Sequence, residues 1–523
     1  MKKLKKAIEK LKLSKILFIL LIFLSNISLA TYYYIKTHLG NIDFFQVYYH
    51  LINDGTSDGA FTVIFKAILS CIPFILVLII TEIFLFTRWK KYKVLLKSKS
   101  TSREIYIFPT IFSKYRIISS FILLCISIFI LLNYLNFGEY LNTKNSSTNI
   151  YEKYYIDSNK VNINFKGKKR NLIYIYLESM ESSLFSKKNN GAFKKSRIPE
   201  LEKLAENNIN FSHTNGLGGM YDIDGYTISA LVSSTSSTPI IGSCGNECEK
   251  YGDIVPKVRT LGDVLTKEGY NVEYMQGTSA EFAGFKKYLK KHSNQKIIDY
   301  DEMIKRGYVE KGYFTWWGIE DKKLMKFAKD EISELAKKKE PFSFTLITMD
   351  THFEDGYLDE TCKTPFKEPL SNAYNCSSKK IGDLVSWIKK QKFYDDTLIV
   401  ITGDHKTMQH VYFKNSKDYQ RTVYNVFINS KKTNINTKNR IVTNFDIYPT
   451  VLSGLGADIN GNRIGFGTNL FSNKQTIPEI IGFETLNKEK NKSSDYYEKY
   501  INNSKNTKIK DIEEEIKKKK ENK

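Results

Sequence analysis

Three polar residues that could bind a divalent cation follow apolar runs of strand length. Glu178 follows the run 172–177, and Asp404 and His405 stand just beyond the run 397–402. Two carboxylates and an imidazole form a mixed oxygen and nitrogen set that suits Mn²⁺, Mg²⁺ or Zn²⁺. A lone acid after a strand is often only the N-cap of a helix. The set therefore indicates a metal site only if one fold brings its members together.

A glycine-rich segment supplies a candidate nucleophile for such a site. From Gly216 to Gly225 the chain reads GLGGMYDIDG, and Thr227 then stands at the predicted start of a helix. The free N–H groups and the dipole of a helix N-terminus favour a bound phosphate. A metal that contacts the Thr227 hydroxyl lowers its pKa and creates an alkoxide nucleophile. The pattern predicts metal-assisted chemistry on a phosphate group.

The elements around these residues follow the alternation of an α/β domain. Apolar runs occur at 172–177, 341–348, 397–402 and 423–428, with helical patterns between them at 198–207, 260–268, 321–338 and 379–392. Continuous apolar runs are typical of strands covered on both faces, and their alternation with helices favours a mostly parallel sheet. Ligand sites of such sheets lie beyond the carboxyl ends of the strands, which is where the candidate residues stand.

Three apolar stretches precede this domain, at about 16–35, 67–86 and 117–137, and each is long enough to cross a membrane. A cleaved signal peptide is the alternative for the first stretch. Basic residues are concentrated at the N-terminus and in the loop after the second stretch, which places both in the cytoplasm. We therefore predict a multi-pass protein of the bacterial inner membrane with its catalytic domain in the periplasm.

The net charge of +23 lies mainly beside the apolar stretches and in the C-terminal tail. Nucleic-acid-binding proteins instead concentrate basic residues on one face, so we predict no nucleic-acid partner. A hydrophobic content of 42% excludes a disordered chain. The predicted organisation is a membrane anchor at 1–137, a juxtamembrane linker at 138–170, a catalytic domain at 171–487 and a charged tail at 488–523.

The six cysteines divide between these parts. Two of them, Cys71 and Cys125, lie in apolar stretches and are expected to be packing residues. The exported part, where disulfides persist, contains Cys244, Cys248, Cys362 and Cys376. Of the three possible pairings we predict the closest in sequence, Cys244 with Cys248 and Cys362 with Cys376. A zinc site is the alternative, but its usual histidines are not nearby.

Six motifs occur in the order NLIYIYLES (171–179), GYTI (225–228), TWWGIED (315–321), TMDTH (348–352), GDH (403–405) and FDIYPTVL (445–452). This pattern resembles the membrane phosphoglycerol transferases of the sulfatase and alkaline-phosphatase-like superfamily. The most similar type decorates osmoregulated periplasmic glucans, and lipoteichoic acid synthases are more distant relatives. The chain has no Cys/Ser-x-Pro-x-Arg segment of the kind that true sulfatases need, which argues against sulfate ester hydrolysis.

The resemblance implies a role for each candidate residue. One metal ion, with Mn²⁺ preferred over Mg²⁺ or Zn²⁺, is implied to bind Glu178, Thr227, Asp404 and His405. Thr227 is the implied nucleophile, and His352 contacts the substrate phosphate or acts as acid and base. Three further residues match substrate-site positions of the family: Phe282, Lys286 and Trp317.

The expected reaction moves phosphoglycerol from phosphatidylglycerol to a periplasmic or cell-surface glycan through a phosphothreonine-type intermediate. One alternative is phosphoethanolamine transfer to an envelope glycan or lipid. Another is a catalytically inactive membrane protein that binds glycans or lipids. The chain departs from the family's usual pattern at 222–226, beside the nucleophile, and at 243–246. Both departures concern the donor and acceptor pocket and not the metal site.

Overall fold

The structure is a computed structural model, and it describes residues 2–39, 44, 47, 58–87, 93–97, 102–106, 111–223, 225–241, 253–409, 412–413, 419–432 and 434–502. The chain divides into two compact units. The first unit comprises Met1–Val47, Ala60–Leu141 and Gln409–Val411. The second unit comprises Tyr48–Gly59, Asn142–Met408 and Tyr412–Lys523.

Long apolar helices form most of the first unit. The helices of this part of the chain are α1 (Lys2–Tyr34), α2 (Asp58–Phe86), α3 (Ile111–Lys114), α4 (Arg116–Tyr134) and α5 (Phe137–Asn145). A π-helical turn, Ile35–Leu39, continues α1, and strands β1 (Lys93–Lys97) and β2 (Ser102–Tyr106) pair antiparallel.

Three helical stretches are long and apolar enough to cross a membrane: Leu13–His38, Phe65–Phe86 and Arg116–Tyr134. Many of their large apolar side chains are exposed, as suits a helix whose solvent is lipid. These helices indicate a membrane protein. They occur where the sequence predicted apolar stretches, and the number of crossings stays a prediction.

The second unit is built on a six-stranded sheet. Its strands are β4 (Asn171–Leu177), β5 (Asn271–Gln276), β6 (Lys296–Ile298), β7 (Phe342–Ile347), β8 (Thr397–Gly403) and β9 (Asn425–Ile428). They lie in the order β6–β5–β7–β4–β8–β9; β9 pairs antiparallel with β8, and the other pairings are parallel. This mixed, mostly parallel sheet confirms the predicted fold class.

Helices and short strands surround the sheet. The helices are α6 (Ile150–Tyr154), α7 (Pro199–Asn207), α8 (Thr227–Ser236), α9 (Leu261–Lys267), α10 (Phe285–Lys291), α11 (Tyr300–Lys305), α12 (Asp321–Ala336), α13 (Pro369–Ile388), α14 (Ile447–Gly454), α15 (Ile477–Ile481), α16 (Phe483–Glu489) and α17 (Asp495–Tyr497). Strand β3 (Ile163–Phe165) pairs with β10 (Ala457–Ile459), and β11 (Arg463–Ile464) pairs with β12 (Gly467–Thr468). The apolar run 172–177 is buried throughout, as expected for a central strand covered on both faces.

The strands β5 and β6 are absent from the sequence-based prediction. Glu273 interrupts the apolar character of β5, yet its side chain is buried. The ammonium group of Lys296 on the adjacent β6 lies 2.9 Å from the Glu273 carboxylate. A charged residue is tolerated there because the neighbouring strand provides its counter-charge, and no local pattern reveals that neighbour.

Parts of the predicted linker 138–170 and tail 488–523 pack against each other. Tyr151 is buried, its hydroxyl donates to the Lys490 carbonyl at 2.7 Å, and its ring lies 5.4 Å from that of Tyr497. Both segments thus contribute to the core of the second unit. The tail beyond residue 502 lies outside the described residues.

A disulfide joins Cys362, in the loop after β7, to Cys376 on α13. This is one of the two pairs predicted from the sequence. Cys71 and Cys125 are free thiols in the first unit. Cys244 and Cys248 lie outside the described residues, so their pairing stays a prediction.

Candidate active site

The register of the two central strands brings the predicted acidic ligands together. Leu177 at the end of β4 pairs with Gly403 at the end of β8, so Glu178 and Asp404 leave the sheet as neighbours. Gly403 permits the segment that contains Met180 to pass close to the end of β8. A Cβ at that position would lie 1.9 Å from the carbonyl oxygen of Met180.

Glu178, Asp404 and His405 form a buried cluster. Ligand atoms of all three lie within 4.8 Å of one another. The Nε2 atom of His405 is 3.5 Å from Oε1 of Glu178 and 3.4 Å from Oδ2 of Asp404. All three side chains are buried, which favours binding of a cation over two unshielded carboxylates.

Thr227 is the first residue of α8, and its hydroxyl faces this cluster. Its Oγ1 atom lies 3.3 Å from Oε2 of Glu178 and 3.3 Å from Nε2 of His405. Gly225, with φ of 78°, makes the turn before the helix, and its N–H donates to Oδ1 of Asp222 at 3.0 Å. The turn thus places a hydroxyl and the N-terminus of helix α8 next to the three ligands.

The hydrogen bonds of these side chains leave one atom of each available for a cation. The Oδ1 atom of Asp404 accepts the N–H groups of Ser179 at 2.8 Å and His405 at 2.7 Å. Its Oδ2 atom is buried and has no hydrogen-bond partner within the described part of the chain. The Nδ1 atom of His405 is 2.9 Å from the carbonyl of Lys406, so Nδ1 holds a proton, and in the neutral ring Nε2 is the nitrogen that offers a lone pair to a cation.

A buried carboxylate oxygen without a partner costs free energy, and a divalent cation would satisfy it. The three charged side chains and the Thr227 hydroxyl therefore fit a metal ion. Burial and the charge of Glu178 raise the pKa of Asp404 to about 7. Burial lowers the pKa of His405, but the charges of Asp404 and Glu178 outweigh it and raise that pKa to about 9. Both shifts have the direction expected where two buried carboxylates face each other, an arrangement that favours a positive charge beside them.

The loop after β7 holds the backbone of Glu178 from two sides. The Glu178 N–H donates to Oγ1 of Thr348 at 3.1 Å, and the hydroxyl of Thr351 donates to the Glu178 carbonyl at 2.6 Å. His352 is the next residue of the same loop. The loop therefore fixes the positions of a ligand and of the predicted acid/base residue together.

His352 and Trp317, both predicted at the substrate, contact each other. Their ring centroids are 4.4 Å apart. The Nδ1 atom of His352 lies 2.8 Å from the Phe353 carbonyl, which also accepts the indole N–H of Trp317 at 3.3 Å. Of the other two predicted substrate residues, Phe282 begins a 3-10 turn and Lys286 pairs with Glu281. Contact of these four residues with substrate stays a prediction.

Four residues that support the site were not singled out from the sequence: Ser179, Asp222, Thr348 and Thr351. Each makes a hydrogen bond to a ligand or to a residue next to one. All four stand inside quoted segments: Ser179 follows Glu178 directly, the two threonines lie in TMDTH, and Asp222 lies in the glycine-rich segment 216–225. Asp222 accepts the N–H of Lys406 at 3.2 Å and so joins the nucleophile turn to the segment after His405.

Comparison with known proteins places the chain in a family. A family model described as Sulfatase matches residues 170–457, which is more than half of the chain. The chain belongs to the sulfatase family. This membership confirms the resemblance predicted from the motifs, because the matched region contains all six of them.

Two similar proteins are named phosphoglycerol transferase I. The protein from Salmonella choleraesuis is 30% identical over 320 residues, and that from Escherichia coli is 31% identical over 320 residues. Each alignment covers 60% of this chain and 40% of the relative, so the chain spans about two fifths of the length of these relatives. A solved lipoteichoic acid synthase from Listeria monocytogenes is 20% identical, with a TM-score of 0.48, over 62% of this chain and 81% of that one.

Proposed function

We propose that this protein transfers phosphoglycerol from phosphatidylglycerol to a periplasmic or cell-surface glycan, with Thr227 as the nucleophile. The observation that supports this most is the contact of the Thr227 hydroxyl with Glu178 and His405 at 3.3 Å each. A hydroxyl at a helix N-terminus beside three metal-binding side chains suits attack on a phosphodiester. The name of the relatives at 30–31% identity supports phosphoglycerol as the transferred group.

In the first half-reaction the Thr227 hydroxyl gives its proton to water, and its oxygen forms a bond to the lipid phosphorus. The bond from phosphorus to the diacylglycerol oxygen breaks, and diacylglycerol leaves after it gains a proton. The Nδ1 atom of His352 faces a carbonyl at 2.8 Å, so its Nε2 atom is the one that can give or take that proton. The first N–H groups of α8 receive the negative phosphate oxygens.

In the second half-reaction a glycan hydroxyl attacks the phosphothreonine. The hydroxyl proton passes to Nε2 of His352, and a new bond forms between the glycan oxygen and phosphorus. The bond from phosphorus to the Thr227 oxygen breaks, and that oxygen regains a proton from water. Glu178, Asp404, His405 and Thr227 would hold one divalent ion. When bound, that ion, for which we propose Mn²⁺ before Mg²⁺ or Zn²⁺, lowers the pKa of the threonine hydroxyl and neutralises charge on the phosphate.

The membrane helices support a lipid donor, because a covalently attached anchor keeps the catalytic unit close to phospholipid. We propose the bacterial inner membrane as the location, with the catalytic unit in the periplasm. Phosphoethanolamine is the competing group, since the chemistry at Thr227 is the same for either head group. An inactive binding protein would not need the Thr227 hydroxyl within 3.3 Å of Glu178 and His405, so this contact favours an enzyme.

Mass spectrometry of the Thr227 peptide tests this function. The full chain in detergent is incubated with phosphatidylglycerol or phosphatidylethanolamine in the presence of Mn²⁺. We expect a phosphoglycerol adduct on Thr227 and release of diacylglycerol. Thr227→Ala should lower the transfer rate by several orders of magnitude. Thr235→Ala, on the same helix and bonded to Tyr288, is the matched control.

The outcomes separate the alternatives. A phosphoethanolamine adduct would replace the donor in the proposal, and the absence of any adduct with both lipids would favour a binding protein. A chelator should abolish turnover, and added Mn²⁺ should restore it. Full activity of metal-free protein would contradict the metal-dependent mechanism.

A further inference from the structure

We infer that Ser179 is a positioning residue that fixes which oxygen of each ligand carboxylate faces the metal ion. This inference rests on the metal centre of the proposed function. Ser179 follows Glu178 in the chain and is 1% exposed. Ser179 is not one of the predicted ligands. It acts on the metal site through its hydrogen bonds to two of them.

One residue contacts both carboxylates. The Ser179 hydroxyl donates to Oε1 of Glu178 at 2.6 Å, and the Ser179 N–H donates to Oδ1 of Asp404 at 2.8 Å. The opposite oxygens are the ones left for a cation. Oε2 of Glu178 lies 3.3 Å from the Thr227 hydroxyl, and Oδ2 of Asp404 is buried without a partner among the described residues.

The backbone of Ser179 has a conformation that serine seldom adopts. Its φ is 50°, in the left-handed region that favours glycine. The Tyr374 hydroxyl donates to the Ser179 carbonyl at 3.1 Å and holds the peptide from the other side. Glycine would adopt this backbone conformation with less strain than serine. A buried serine at this position therefore indicates a functional role for its hydroxyl.

The physical reason is the repulsion between two buried carboxylates. Without fixed donors, each side chain could rotate to move its charge away from the other. Binding of the cation would then include the free-energy cost of turning both carboxylates back, which lowers the affinity. Hydrogen bonds from outside the ligand set fix the orientation beforehand, and the loss of such a bond typically lowers metal affinity 10–100-fold. We expect a loss in that range when the Ser179 hydroxyl is removed.

Calorimetric titration of the metal-free full chain with Mn²⁺ alone tests this role. Ser179→Ala should weaken Mn²⁺ binding by about 10–100-fold. Ser182→Ala is the matched control. Ser182 lies three residues after Ser179, and its buried hydroxyl is 2.6 Å from the hydroxyl of Thr422. It should bind Mn²⁺ as the wild type does.

Ser179→Gly separates the hydroxyl from the backbone. Glycine keeps the N–H that faces Asp404 and accepts a φ of 50° without strain, but it lacks the hydroxyl. We expect the glycine variant to bind Mn²⁺ as weakly as the alanine variant and to unfold at a higher temperature. If Ser179→Ala does not fold, the glycine variant decides the question by itself.

Two results would overturn the inference in distinguishable ways. Wild-type affinity in both Ser179→Ala and Ser179→Gly would remove the positioning role and leave the metal centre intact. Failure of the wild-type chain to bind Mn²⁺, Mg²⁺ or Zn²⁺ would refute the metal centre of the proposed function, and the role of Ser179 would fall with it.

Discussion

At the scale of single residues, the two histidines predicted at the site differ in what their rings contact. The Nε2 atom of His405 lies within 3.5 Å of both Glu178 and Asp404, whereas His352 packs against the ring of Trp317. The first arrangement suits a metal ligand. The second suits a group that meets the substrate, because its Nδ1 is bonded to a carbonyl and its ring is held by an aromatic neighbour.

We therefore predict that His405→Ala lowers Mn²⁺ affinity far more than His352→Ala. Loss of a ligand should exceed the 10–100-fold effect of losing an outer hydrogen-bond partner, and His352→Ala should leave the affinity within a few-fold of wild type. Titration of the metal-free variants with Mn²⁺ measures both. Equal losses would place His352 among the ligands and contradict its proposed role at the substrate.

At the scale of elements, a buried ion network ties the loop after β7 to helices α12 and α13. The Lys380 ammonium on α13 lies 2.6 Å from Asp350 and 2.6 Å from Asp359. Asp350 also accepts the N–H of Asp321 at 3.0 Å, at the start of α12. This network fixes the loop after β7. The loop contains His352 and makes hydrogen bonds to the backbone of Glu178.

Lys380→Met should destabilise the second unit, because it leaves buried carboxylates without their counter-charge. Breaking such a group typically costs about 3–5 kcal/mol. Thermal unfolding of the full chain in detergent, followed by tryptophan fluorescence, provides the comparison. Lys379→Met is the control, since Lys379 pairs with Asp383 on the exposed face of the same helix and should change little.

The same variant should change the dependence of stability on pH. Burial and the charge of Asp350 raise the pKa of Asp321 to about 8, and burial raises the pKa of Asp350. The folded chain thus keeps protons that unfolded aspartates, with a pKa of about 4, release. Stability contributed by these groups falls as pH rises from about 4 to 8. Without Lys380 the fall should be steeper, so a constant difference between variant and wild type would contradict the network.

At the scale of the whole molecule, the free and the bonded cysteines among the described residues fall in different units. The free thiols of Cys71 and Cys125 belong to the apolar helices, and the Cys362–Cys376 disulfide belongs to the unit with the sheet. Disulfides persist in oxidising compartments, so this distribution supports the proposed periplasmic location of the second unit.

Thiol labelling of the purified chain checks this distribution. Under denaturing, non-reducing conditions we expect label on Cys71 and Cys125 alone, and on all six cysteines after reduction. Peptide mass spectrometry locates the label. Label on Cys362 without reduction would contradict the disulfide, and label on Cys244 would contradict its predicted pairing with Cys248.

The sequence determined the features that depend on local composition. Apolar stretches of membrane length, strand-length apolar runs and helical patterns follow from side chains close together in the chain. The three long apolar helices, four strands and the fold class were therefore predictable. The ends of parallel strands meet at one edge of a sheet, which is why Glu178, Asp404 and His405 could be grouped in advance. The motif around Thr227 likewise identified the nucleophile candidate.

Only the tertiary structure decided which atoms of these residues are available. The bond between Ser179 and Asp404 joins residues 225 positions apart, and that between Lys380 and Asp350 joins residues 30 apart. The strands β5 and β6 were missed for the same reason, because the partner of Glu273 lies on a neighbouring strand. Burial makes each such contact decisive, since an unpaired polar atom in the interior costs free energy, and that partner is chosen by the fold and not by the local sequence.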